Sequence, residues 1–152
     1  ARLTAYELAA SGIDVTLLCD NMAASLLASG RVQKVFVGCD RVASNGDACN
    51  KIGNLGLAIL ARHYGIPLYV CAPTPTMDLS LLSGEAIPIE ERPGEEVTSM
   101  WYSTPMAPEG IGVYNPAFDV TPHELITAFV TQHGVIRPPF AQRLARLAKE
   151  SG

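Results

Sequence analysis

The chain has 152 residues, 48% of them hydrophobic and 17% charged, and a net charge of −4. That length suits one domain with an ordinary core, and no apolar run reaches the ~20 residues that span a bilayer. The only basic cluster is Arg137, Arg143, Arg146 and Lys149, so neither a membrane nor a nucleic acid is an expected partner. Four cysteines, at 19, 39, 49 and 71, show no CxxC and no Cys/His pair at zinc-site spacing, so no metal is expected. Cys39 and Cys71 sit in apolar runs and read as buried, reduced thiols of a cytoplasmic protein.

In chain order, residues 2–11 predict a short helix that Gly12 ends. "IDVTLLCD" predicts a strand, and Asp20-Asn21 then cap a helix over "MAASLLASG". "KVFVGCD" is a continuous apolar run, the pattern of a strand buried on both faces. Asp47 is placed to cap a long helix carrying Ile52, Leu55, Ile59 and Leu60, and "PLYVCAP" is a further buried strand. This alternation predicts an α/β fold: a Rossmann-like, doubly wound, mainly parallel sheet with flanking helices.

Prolines break up residues 73–121, where "IPIEERPGEEV" predicts an edge strand and a turn, and where Trp101 and Tyr102 are expected to pack. "DVTPHELITAFVTQHG" predicts a helix with Thr121 as its cap, Pro122 in its first position and Glu124 three residues after the cap. "VIR" and an amphipathic helix after Pro139 close the chain. Residues 1–152 are expected to form a single compact unit. The opening "ARLTAYEL", with no initiator Met and no cap before its helical pattern, reads as a chain that begins mid-protein.

Three side chains stand out chemically. Asp40 follows an apolar strand, where α/β folds hold their ligands, and is suited to proton transfer or to gripping a sugar hydroxyl; a loop cap or a pair with Arg41 is the plainer alternative. Asn50 and Lys51 are expected in a first helical turn, where free amides, the helix dipole and an ammonium favour an anion such as phosphate. No P-loop, G-x-G-x-x-G or G-x-S-x-G pattern is present, and His63, His123 and His133 read as surface or capping residues.

The stretches "GCDRVASNGDACNKIG", "IPIEERPGEEVT", "APEGIGVYNPAFDVTPHELITAFVT" and "GVIRPPF" resemble, in this order, the C-terminal domain of the methylthioribose-1-phosphate isomerase family. The resemblance implies an aldose–ketose isomerase of methionine salvage that acts on a sugar phosphate without metal or cofactor and forms homodimers. It implies a catalytic role for Asp40 and phosphate contacts for Asn50 and Lys51. It also implies a catalytic cysteine in a T-x-C-N-type motif on a preceding segment. No such motif surrounds Cys19, Cys39, Cys49 or Cys71, so the chain is expected to be a C-terminal fragment, lacking its N-terminal domain and inactive by itself. The alternatives are ribose-1,5-bisphosphate isomerase and the protein-binding regulatory subunits of translation initiation factor 2B.

Overall fold

The computed structural model describes residues 2–151. In chain order its elements are α1 (Arg2–Ala10), α2 (Ala23–Ala28), β1 (Val35–Val37), β2 (Arg41–Ala43), β3 (Ala48–Lys51), α3 (Asn54–His63), β4 (Leu68–Cys71), β5 (Met77–Asp78), α4 (Glu95–Thr98), β6 (Phe118–Thr121), β7 (Ala128–Thr131), β8 (Gly134–Ile136) and α5 (Phe140–Ser151).

The strands form two mixed sheets rather than one. The first has the order β1-β4-β7-β8: β4 runs parallel to both β1 and β7, and β8 closes the edge antiparallel to β7. The second has the order β5-β2-β3-β6, with β3 antiparallel to β2 and β6 and with β5 parallel to β2. The α/β class and the parallel β1-β4 pairing agree with the sequence pattern. The second sheet was not anticipated, because it is built from segments that read locally as loops and helix starts.

Three local expectations give way to longer-range pairing. Residues 13–19 form neither helix nor strand, and the outer edge of β1 is unpaired among the described residues. The segment after Asp40 does not enter a helix at Asp47. Asn45-Gly46 instead makes a hairpin turn, with the Gly46 amide donating to Ala43 O at 2.9 Å and Gly46 at φ 96°. That is a common short hairpin connection, which sends residues 48–51 back as β3. Thr121 ends a strand, residues 123–125 make one helical turn, and "AFVT" becomes β7. Phe129 is completely buried and meets Phe140 edge-on at 4.9 Å, so burial outweighs the capping signal.

The main core lies between the first sheet and the helices and includes Leu27, Val35, Ala58, Leu68, Val70, Phe129 and Leu144. A smaller cluster of Ala43, Cys49 and Ile87 lies at the second sheet. Cys71 is exposed rather than buried, and Trp101 and Tyr102 lie on the surface.

Candidate active site

The chain leaves β1 through Gly38 and Cys39 and enters β2 at Arg41, so Asp40 sits at the junction between the sheets. Its backbone amide donates to Cys49 O at 3.0 Å, and its side chain is exposed. Asp40 lies one residue before β2, and Asn50 follows Cys49, the partner of Arg41, on β3. A side chain at Gly38 would come within 4.0 Å of Asn50 Oδ1, so the carboxamide passes over the glycine that leads to Asp40. The fold therefore brings together two of the three residues singled out, by way of the hairpin.

Lys51 follows on the alternate face of β3. Its Nζ lies 4.0 Å from the centre of the Phe118 ring, opposite it in register. Asn50 and Lys51 are strand residues, three and two positions before Gly53, which precedes α3. Several amides around the start of α3 have acceptors within the chain. Gly53 N donates to Asp119 Oδ2 at 2.8 Å, Leu55 N donates to Asp119 Oδ1 at 3.1 Å, and Ile52 N donates to Ala117 O at 3.0 Å. Asp119 acts as the N-terminal cap of α3, supplied by a distant strand.

Behind these residues runs a short polar chain. Asn50 Nδ2 donates to Asn54 Oδ1 at 3.4 Å, and buried Asn54 donates through Nδ2 to the buried Thr121 hydroxyl at 2.8 Å. Asn54, Asp119 and Thr121 were missed as site residues. The available signal was the alternation in "FDVT", which places Asp119 and Thr121 on one face of a strand.

The thiols near the site are poor proton donors or nucleophiles for it. Burial pushes the Cys39 thiol up to about 12, and its Sγ–H faces Arg41 O at 3.3 Å. Burial, helped by the charge of Asp40, also raises Cys49. Asp47, expected as a helix cap, instead ties three segments together. It accepts from Asn45 Nδ2 (2.8 Å), Gly84 N (2.9 Å) and His123 N (3.0 Å), and its Oδ1 lies 2.9 Å from His123 Nδ1. Asp47, His123 and Glu124 form the one group of potential metal ligands close enough together among the described residues. The donors already on Asp47 mark it as a structural latch. His63 packs edge-on against Tyr64 at the end of α3, as a surface residue does.

Residues 1–138 match the model of the initiation factor 2 subunit family, IF-2B. The chain belongs to this family. It is 63% identical over 147 residues to a methylthioribose-1-phosphate isomerase of Symbiobacterium thermophilum, covering 97% of this chain and 41% of that protein. It is 60% identical over 152 residues to a 5-deoxyribose 1-phosphate isomerase of Moorella thermoacetica, covering 99% of this chain and 43% of that protein. The crystal structure of 5-methylthioribose 1-phosphate isomerase from Pyrococcus horikoshii OT3 superposes with a TM-score of 0.92 at 46% identity, over 97% of this chain and 41% of that one. The chain thus spans about two-fifths of the length of the relatives it matches.

Proposed function

We propose that this chain is the site-bearing C-terminal domain of an aldose–ketose isomerase that converts 5-methylthioribose 1-phosphate into 5-methylthioribulose 1-phosphate in the cytoplasm. The observation that carries the reading is Asp40 at the entry to the hairpin, its amide bonded to Cys49 O next to Asn50 and Lys51 on β3, in a chain 63% identical to a protein of that name.

The chemistry accounts for both parts of the site. A phosphate on the anomeric oxygen blocks the ordinary opening of a free hemiacetal. The bond from C1 to the ring oxygen must break, with that oxygen taking up a proton. Hydrogen then moves from C2 to C1, as a proton through an enol or as a hydride, and the C2 hydroxyl loses its proton to become the ketone. In this reading Asp40 handles a hydroxyl proton, while Asn50 and Lys51 hold the phosphate so that C1 and C2 lie over the carboxylate. Neither Cys39 nor Cys49 suits the acid at the ring oxygen, which favours a donor from outside these 152 residues. The M. thermoacetica relative's name points to 5-deoxyribose 1-phosphate as a second substrate with the same reacting C1–C2 unit, and both sugars belong in the assay.

The test is turnover by this chain alone and by a polypeptide spanning the relatives' full length. Activity is expected in the longer protein. There Asp40→Asn lowers kcat by about 10²–10⁴-fold, and Lys51→Ala raises KM with kcat largely kept. An unchanged kcat in Asp40→Asn sinks the assignment. The family description also covers initiation-factor subunits, which act by binding proteins. The Asp40, Asn50 and Lys51 constellation favours the enzyme, since a protein-binding subunit has no need of it.

The doubly wound arrangement belongs to the same proposal. It is reached when residues 13–18 join the free edge of β1 as a parallel strand, with α2 as the crossover. Three features support this: the strand pattern of "IDVTLL", the 61% exposure of Phe36 on β1, and a groove of about 590 Å³ between α2 and α3 lined by Leu18, Leu27, Val35 and Leu57. Slow hydrogen exchange of the amides in 13–18 is the expected result, and free exchange argues against it.

A further inference from the structure

The geometry points to Asp119 as a positioning residue for the phosphate anchor: its carboxylate clamps the turn between β3 and α3. The inference rests on the phosphate role proposed for Asn50 and Lys51.

The turn in question is Ile52-Gly53, which joins the two anchor residues to α3. With no side-chain cap of its own and Gly53 at φ 103°, it has little local reason to hold one shape. Its shape comes from β6, more than sixty residues away in sequence. Asn50 faces Asp119 and Lys51 faces Phe118 in the antiparallel register. The two oxygens of Asp119 then take the amides of Gly53 and Leu55 at 2.8 and 3.1 Å, a two-point grip that fixes both position and direction. On the same strand Phe118 supports the Lys51 ammonium, and Thr121 holds Asn54, which accepts from Asn50. One strand thus sets the backbone and both side chains of the anchor. Asp119 touches no reacting atom in this scheme and acts only through Asn50 and Lys51.

The experiment compares Asp119→Asn and Asp119→Ala in the full-length, active polypeptide, using 5-methylthioribose 1-phosphate. Asp119→Asn keeps the shape and one acceptor oxygen, so KM is expected to rise less than in Asp119→Ala, where a rise of about tenfold or more accompanies a nearly unchanged kcat. In a Lys51→Ala/Asn50→Ala background, Asp119→Ala is expected to add little to KM, because its effect passes through the absent side chains. A fall in kcat at constant KM, or a full additional KM effect in that background, overturns the positioning role. If Lys51→Ala and Asn50→Ala themselves leave KM unchanged, it is the phosphate assignment that fails. The clamp can be read without substitution as well. In the unaltered 152-residue chain, the Gly53 and Leu55 amides, which have no helical acceptor, are expected to exchange slowly with deuterium, and exchange at the rate of open first-turn amides overturns the clamp whether or not the variants fold.

Discussion

Asp47 shows how one side chain can hold separate parts of a fold in register. Burial by itself raises the pKa of its carboxyl, but hydrogen bonds from Asn45, Gly84 and His123 outweigh burial and leave it below its usual value near 3.8. A carboxylate whose folded pKa is lowered contributes stability that is complete above the unfolded value and is lost as pH falls through the folded one. Asp47→Asn is therefore expected to be less stable than the wild type at pH 7, with the gap narrowing as the pH drops below about 3.8; denaturant midpoints at both pH values check this. Removing the acceptors altogether in Asp47→Ala leaves several partly buried donors unpaired, an expected loss of about 2–3 kcal/mol. Gly84 has no room for a side chain beside this latch: an added Cβ would lie 2.3 Å from Val120 Cγ1. The sequence marked Asp47 as a polar residue ahead of an apolar pattern, and its two distant partners, Gly84 and His123, were invisible there.

At the scale of elements, the β2–β3 hairpin decides the site. It places Asn50 next to Cys49, whose carbonyl takes the Asp40 amide, and sends Lys51 to the alternate face, whereas a helix beginning at Asp47 would have put Asn50 and Lys51 in one exposed turn. The turn itself is pinned from outside, since an added Cβ on Gly46 would lie 2.7 Å from Phe140 Cβ of α5, and Gly46 has a positive φ. Gly46→Ala is thus expected to cost about 1–3 kcal/mol through overpacking and backbone strain together, measured as a shift in the denaturation midpoint. Asn-Gly between Ala43 and Ala48 was a legible hairpin signal, masked by the helical spacing of Ile52 to Leu60 that follows it. Residues 121–133 misled in the opposite sense. Thr121, Pro122 and Glu124 form a strong local helix start, yet Ile126, Ala128 and Phe129 are buried against a sheet that no local signal reveals.

The whole molecule exposes more apolar surface than its helices and sheets account for. Between residues 97 and 114, Met100, Trp101, Met106 and Tyr114 are open to solvent, with Trp101 at 75% and Tyr114 at 83% exposure. Isolated exposed apolar residues are ordinary, but a run of large ones in a single irregular segment is the mark of a covered face. A homodimer of the kind the family resemblance implies would supply such a cover. Sedimentation of the full-length protein is expected to show a dimer, and Trp101→Asp to shift it towards monomer; a monomeric wild type at micromolar concentration counts against this reading. No helix among the described residues is long and apolar enough to cross a membrane.

The α/β class, the strands at 35–37 and 68–71, though not burial on both faces, since Phe36 is 61% exposed, and the closeness of Asp40, Asn50 and Lys51 along the chain were determined by the sequence itself. Each depends on apolar periodicity or on residues within about a dozen positions of one another, and such short-range signals survive without a structure. Tertiary structure decided that Asp119 takes the Gly53 and Leu55 amides at the start of α3. It also decided that Thr121 backs Asn54 and that Phe118 carries Lys51. These contacts join residues 64 to 67 positions apart, and their partners are chosen by strand pairing and burial across the whole chain, which no local window contains.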